Sequence, residues 1–366
     1  MGFLASNVSQ PNLAINDPED MPMVLDDISA EWIGRAIGIK VDSIKVDLVL
    51  PGTATKVLIS IDYGSRRPKD APQTVCLKGG FSHDLRDLAL GLAYRREAEF
   101  LAHVATSPKL QMRLPRVWYA ATNVRQNQGL VVLENLTATG CTFGECTIPL
   151  SVQHVGSGLQ QLASLHGLTW GCPVGKYPWM TSANPIQEVA GAMFSKQYWE
   201  QHFSEEAVRS QVPADMLDRT RMFAAFRQMW STADPKLRCI VHGDPHPGNL
   251  FFAPGGELGF LDFQAVFSGS SMHDVAYFVA GSLTVEDRRS SERHLLEKYY
   301  LPSLHKAGGP QLSIDQIWDD YRRHQLHGFF WAMTGTLMQT KERAAAMAAR
   351  HIAAIQDHNT LKLLER

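Results

Sequence analysis

Apolar residues take alternate positions in two early stretches, "SIKVDLVL" (43–50) and "KVLISIDY" (56–63), joined by the turn "PGTATK". That pattern predicts a β-hairpin. "QTVCLKGGF" (73–81) predicts a third strand ending at Gly79-Gly80. The period then changes. Within 88–106, Leu90, Ala93 or Tyr94, Glu97, Leu101 and Val104 recur every three or four residues, which predicts a helix with one apolar stripe. "RVWYAAT" (116–122) and "GLVVLENL" (129–136) return to strand character. Beyond Gly140 helical period dominates, over 149–171, 185–208, 213–232, 270–283, 286–303, 313–339 and 341–364, with a short hairpin inside "LFFAPGGELGFLDFQ". Residues 1–24, rich in Asn, Pro, Asp and Ser, show no period and read as a loose arm. The expected class is α+β: a small β-rich N-lobe with one helix over 25–137, and a larger, mostly helical C-lobe over 138–366.

Composition narrows this picture. A chain of 366 residues, 45% hydrophobic and 20% charged, can bury a core in each lobe. A formal net charge of -2 without long runs of like charge argues against a nucleic-acid binder. No apolar run approaches the ~18 residues that span a bilayer, and the N-terminus lacks the basic and apolar regions of a secretory signal. "MGFLAS" fits the loose myristoylation pattern through Gly2 and Ser6. Cys76, Cys141, Cys146, Cys172 and Cys239 are odd in number and scattered, and "CTFGEC" is not a zinc or redox spacing. Reduced thiols and a cytoplasmic location are expected.

The densest polar chemistry lies in "IVHGDPHPGNLFF" (240–252). Pro, Gly, Asp and Asn between apolar runs ordinarily make a turn. Here Asp244 precedes Asn249 by five residues, and Asp262 follows at the end of an apolar strand. Phosphoryl transfer needs such groups: one carboxylate to orient a hydroxyl and accept its proton, and a carboxylate with an amide oxygen to hold magnesium. It also needs a cation for the phosphates. Lys78 ends the third predicted strand, and Glu97 lies on the apolar stripe of the helix that follows. An inward carboxylate requires a cationic partner. Glu99 is expected about 200° around that helix, with Arg95, Arg96 and His103, at ~100° per residue.

"VHGDPHPGN" followed by "LGFLDFQ" resembles the catalytic and metal-binding segments of aminoglycoside phosphotransferase-like kinases. "LVVLENL", "DFQAVFSGSSMHDVAYF" and the C-terminal helices resemble the ecdysteroid kinase-like and choline kinase-like branches. The resemblance covers roughly 40–340 and implies a two-lobed protein kinase-like fold. It implies ATP and magnesium as cofactors, with Asp244 as catalytic aspartate and Asn249 and Asp262 as metal ligands. Lys78 resembles the phosphate-binding lysine and Glu97 its partner. Glu134 to Leu136 resemble the segment that meets adenine. Gly52 and Thr53, with Thr55, resemble a phosphate-covering loop that has one glycine rather than three. Gln264 and Gly243 stand where protein kinases carry Gly and Arg, which points to a small-molecule hydroxyl as the acceptor rather than a protein. A nucleotide-binding protein that has lost catalysis is the alternative. His242 and Asp274 are expected to brace the loop, and His166 to pack within a helix. His246 is expected either to approach the transferred phosphate or to serve the structure. Phe330, Trp331, Thr334 and Met338 are expected at helical spacing, in the core or on an acceptor wall.

Overall fold

A computed structural model describes residues 20–365 apart from 66, 87–89, 174 and 337. The expected loose arm and the Gly2 pattern lie outside these residues, save for 20–24. The chain divides into two compact units, Met1–Ser107 with Pro115–Cys141 and Pro108–Leu114 with Thr142–Arg366.

The first unit is built on an antiparallel sheet of β1 (Ser43–Leu50), β2 (Thr55–Asp62), β3 (Thr74–Gly79), β4 (Val117–Asn123) and β5 (Gln128–Glu134), in the order β1-β2-β3-β5-β4. Its core includes Val57, Ile59, Val75, Leu77, Leu130 and Val132, alternate residues of β2, β3 and β5. Besides the single turn α2 (His83–Leu85), the described residues form two helices rather than the one expected, α1 (Ala30–Ile37) and α3 (Gly91–His103). α1 is only eight residues long, but Trp32, Ile33, Ala36 and Ile37 are all buried. Ser29 caps it by accepting from the Trp32 N–H at 3.1 Å, and Gly38 ends it in the left-handed region at φ 71°. α3 packs on β4 and β5. It approaches so closely that a Cβ at Gly129 would sit 2.3 Å from the Tyr94 carbonyl oxygen.

The second unit is mostly helical. Its helices are α4 (Val152–Leu168), α5 (Ile186–Met193), α6 (Lys196–His202), α7 (Glu206–Arg209), α8 (Arg219–Ser231), α9 (Ser271–Ser282) and α10 (Val285–Leu295). They continue with α11 (Leu301–Lys306), α12 (Ile314–His324), α13 (Phe330–Met333), α14 (Lys341–Asp357) and α15 (Thr360–Leu364). Two small sheets interrupt them. β7 (Arg238–Val241) pairs with β10 (Phe267–Ser270), and β6 (Thr142–Phe143), β8 (Leu250–Phe252) and β9 (Leu258–Phe260) form the other. The helix expected over 313–339 is broken: a 3-10 turn spans Gln325–Phe329, and α13 stops at Met333. Gln325 to Met333 are nonetheless all buried. Burial on every side leaves no solvent face and hence no stripe, so hydrophobicity could not mark where the helix breaks.

Candidate functional site

The site in the second unit begins where β7 ends. Val241 is the last strand residue, and the chain turns at Gly243, which has φ 86°. A Cβ there would lie 2.1 Å from the Ala265 carbonyl oxygen, so no larger residue fits. Asp274, in the first turn of α9, accepts the His242 and Gly243 N–H groups at 2.7 and 2.9 Å. Its carboxylate also meets His166 Nε2 at 3.0 Å, and His166 Nδ1 meets the Tyr300 hydroxyl at 3.0 Å. Burial alone would raise the Asp274 pKa, but the His166 hydrogen bond and charge hold it below the ordinary carboxylate value. His242 Nδ1 accepts the Asp244 N–H at 3.3 Å, and Nε2 donates to the Leu261 carbonyl at 2.9 Å. Burial pushes its pKa down, which favours the neutral ring that this pattern requires. Both residues brace the loop, as expected.

Asp244 stands out against these buried neighbours because its side chain is 40% exposed. One carboxylate oxygen, Oδ1, accepts from the Tyr277 hydroxyl at 3.0 Å. The other lies 3.3 Å from Asn249 Nδ2 and 3.5 Å from His246 Nε2. Asn249 Nδ2 also donates to the Asp244 carbonyl at 2.9 Å, which leaves Oδ1 as that amide's oxygen donor. His246 Nδ1 accepts the Gly248 N–H at 3.0 Å and lies 3.5 Å from Cys146 Sγ. Two influences oppose each other on this ring. Burial would lower its pKa, yet the Asp244 charge and the contacts to Asp244 and Cys146 raise it to about 10. The Gly248 N–H, in turn, favours an unprotonated Nδ1. Either way Nε2 carries a proton toward Asp244.

The β8–β9 hairpin brings Asn249 and Asp262 to one end. Leu250 pairs with Phe260, and the Leu261 N–H donates to the Asn249 carbonyl at 2.8 Å, so the ladder continues to Asp262. Asp262 adopts φ 64°, a left-handed turn at the strand's end. One amide oxygen and one carboxylate are hard donors, and two protein ligands with bound water and phosphate suit magnesium. Among the described residues no group of three or more His, Cys, Asp or Glu could hold a metal ion.

A cavity of about 600 Å³ opens in the same unit. Tyr198, His202, Val212, Trp331, Met338 and Ala345 are among its lining. Trp331 reaches from this wall toward Asp244: its Nε1 donates to the Tyr277 hydroxyl at 2.7 Å, and its ring meets His246 edge-on at 5.2 Å.

In the first unit, Lys78 Nζ lies 2.8 Å from both carboxylate oxygens of Glu97, and both side chains are 5% exposed. The inward face of α3 is wider than its stripe suggested. Arg96 and Glu99, expected on the outer face, are buried. Glu99 accepts from the Thr122 hydroxyl at 2.8 Å and pairs with His103 at 3.1 Å, because α3 lies across β4 as well as β5. Gly52 and Thr53 fall in the β1–β2 turn, and the Tyr94 hydroxyl donates to the Thr53 carbonyl at 2.6 Å. Glu134 ends β5, with its N–H on the Arg116 carbonyl at 2.8 Å, and the Leu136 carbonyl accepts the Cys141 N–H at 3.0 Å.

Residues 94–307 match the model of the ecdysteroid kinase-like family, which is more than half of the chain. The chain belongs to the ecdysteroid kinase-like family. Among solved structures it is similar to a choline kinase from Cryptosporidium parvum, at TM-score 0.50 and 12% identity, covering 87% of this chain and 90% of that one. It is also similar to a choline kinase from Streptococcus pneumoniae, at TM-score 0.49 and 12% identity over 89% and 98% of the two chains. A macrolide 2'-phosphotransferase from Brachybacterium faecium aligns at TM-score 0.44 and 15% identity over 87% and 96%. No curated protein matches. The fold is α+β and kinase-like, of the choline kinase type. Within the ecdysteroid kinase-like match fall Glu97, Glu134, Leu136, Asp244, Asn249, Asp262 and Asp274, while Gly52, Thr53 and Lys78 precede it. Sequence reasoning missed Tyr277 and Cys146. Tyr277 had a usable signal: it follows Asp274 by three residues on one helix, hence on the same face. Cys146 had none, since 100 residues separate it from His246.

Proposed function

We propose that this protein is an ATP- and magnesium-dependent kinase that phosphorylates a hydroxyl group of a small molecule. The observation that carries the proposal is Asp244 itself. It is a carboxylate oriented by Tyr277, Asn249 and His246 and hung on a buried brace, yet open to solvent. A turn residue needs no such support. Asp244 would orient the acceptor hydroxyl and take its proton, a contribution of about 10²–10⁴ in rate. Asn249 Oδ1 and Asp262 would hold magnesium, which neutralises phosphate charge when bound. Lys78, held by Glu97, would meet the nucleotide phosphates, and the backbone near Glu134 and Leu136 would meet the base.

The cavity beside Trp331 is the proposed acceptor site. At about 600 Å³ it is within the ~300–1,000 Å³ range of small-molecule pockets. Val208, Val212, Trp331, Met338 and Ala345 give it apolar walls, and Glu205 is paired with Lys341 at 3.0 Å. That lining favours an uncharged, largely apolar alcohol over a polycation.

The test is paired. ATP with magnesium should raise the melting temperature of both native protein and Asp244→Asn. Phosphorylation across a broad panel of hydroxyl compounds, read by product mass, should be seen with the native protein and fall about a hundredfold or more in the variant. Nucleotide stabilisation without turnover by the native protein would leave a binding protein only. Full turnover by Asp244→Asn would overturn the reading.

A further inference from the structure

We propose that Tyr277 is the positioning residue for Asp244, and that through Trp331 it couples the wall of the acceptor cavity to the reacting carboxylate. The inference rests on the kinase reading and assigns a role to a residue to which neither the motif nor the family resemblance gave one.

Hydrogen-bond chemistry fixes the direction of the chain. An indole N–H can only donate. Trp331 Nε1 therefore occupies the Tyr277 oxygen as an acceptor, at 2.7 Å. The single hydroxyl proton of Tyr277 is left for Asp244 Oδ1, at 3.0 Å. The relay cannot be reversed, because the carboxylate only accepts. Its members are also held in place. The Tyr277 ring stacks on His351 at 5.1 Å and 14° and meets His327 edge-on at 4.9 Å. Tyr277 and Trp331 are 5% and 6% exposed. With the ring clamped, the hydroxyl has one place to point. Asn249 and His246 reach the other oxygen only at 3.3 and 3.5 Å, so Tyr277 makes the shortest side-chain bond to this carboxylate.

The consequence concerns the acceptor. Trp331 lines the cavity and holds Tyr277 with its N–H. An acceptor that shifts the indole shifts the donor on which the Asp244 rotamer depends. Acceptor fit is thus read at the carboxylate, where a misplacement of ~1 Å can cost about a hundredfold in rate.

Tyr277→Phe removes one oxygen and keeps the stacked ring. We expect kcat for alcohol phosphorylation to fall about tenfold or more, the scale of a hydrogen bond to a charged group. The KM for ATP and the stabilisation by ATP with magnesium should stay at native values. Trp331→Phe, which keeps an aromatic wall but no donor, should lower kcat in the same direction and change the acceptor KM. The double variant should be no slower than Tyr277→Phe alone, since both act through one bond. Native kcat in Tyr277→Phe, with the native protein active, overturns this proposal alone. So does a parallel loss of kcat, ATP affinity and melting temperature, which marks a packing role, and so do multiplicative effects in the double variant. A native protein that phosphorylates no alcohol overturns both this proposal and the kinase reading.

Discussion

At the scale of single residues, chemistry and packing make separable demands. Asn249→Ala and Asp262→Ala each remove one of the two oxygen donors proposed for magnesium, and magnesium-dependent turnover should be lost in both. Assays across a magnesium series would check this, and an Asp262→Ala enzyme with most of its activity would refute the metal assignment. Glu97 and Glu99 offer a second contrast. Both are buried, but Glu97 holds Lys78 whereas Glu99 holds Thr122 and His103. Glu97→Gln should weaken stabilisation by ATP and slow turnover. Glu99→Gln should lower the melting temperature and leave nucleotide stabilisation in place. Periodicity alone placed Glu97 inward correctly. It placed Glu99 outward because a single stripe describes a helix resting on one surface, and α3 crosses two strands.

At the scale of elements, the loop at 242–249 depends on its neighbours more than on its own residues. Asp274→Ala would leave the His242 and Gly243 N–H groups buried without their acceptor and remove the partner of His166. Losing one partner of a buried, hydrogen-bonded charge costs about 3–5 kcal/mol, and chemical denaturation should show a loss of that order. Gly243→Ala should also destabilise, by at least about 2 kcal/mol, since it combines left-handed strain with a Cβ placed against the Ala265 carbonyl. The Asp274 brace was legible in "HDVAYF", because an Asp opening a helix is a familiar acceptor for nearby backbone. The strands were legible where one face is buried and the other is not. α1 was too short to declare a period. The break after Met333 was hidden because residues buried all round carry no periodic signal. Trp331 was legible only as an apolar residue, since nothing local shows that its N–H meets the Tyr277 hydroxyl, which in turn meets Asp244.

At the scale of the whole molecule, the helical unit buries several imidazoles. His273, His327 and His351 are buried, and burial pushes their pKa values down, to about 4 for His273 and about 3 for His351. A histidine kept neutral by folding contributes stability above its unfolded pKa of ~6.5 and loses it as pH falls toward the folded value. Asp274 and Glu292, with lowered pKa values, add to the acid-side loss. His246 acts in the other direction: its raised pKa gives stability that is full below ~6.5 and fades as pH rises toward about 10. The melting temperature should therefore fall steeply between pH 6.5 and 4. Among the described residues, His351 has no hydrogen-bond partner for either ring nitrogen. His351→Leu should flatten that acid limb in thermal scans across pH, and an unchanged limb would count against the assignment. The same buried brace governs how this unit opens. Loops ordinarily exchange their amide hydrogens ahead of the strands that carry them. The His242 and Gly243 amides instead face a carboxylate with no solvent exposure, at the seam of β7 and α9. Deuterium can reach them only when that seam parts. In native-state exchange they should keep their protons as long as the β7 amides do, so the segment that holds Asp244 opens with the core and not before it.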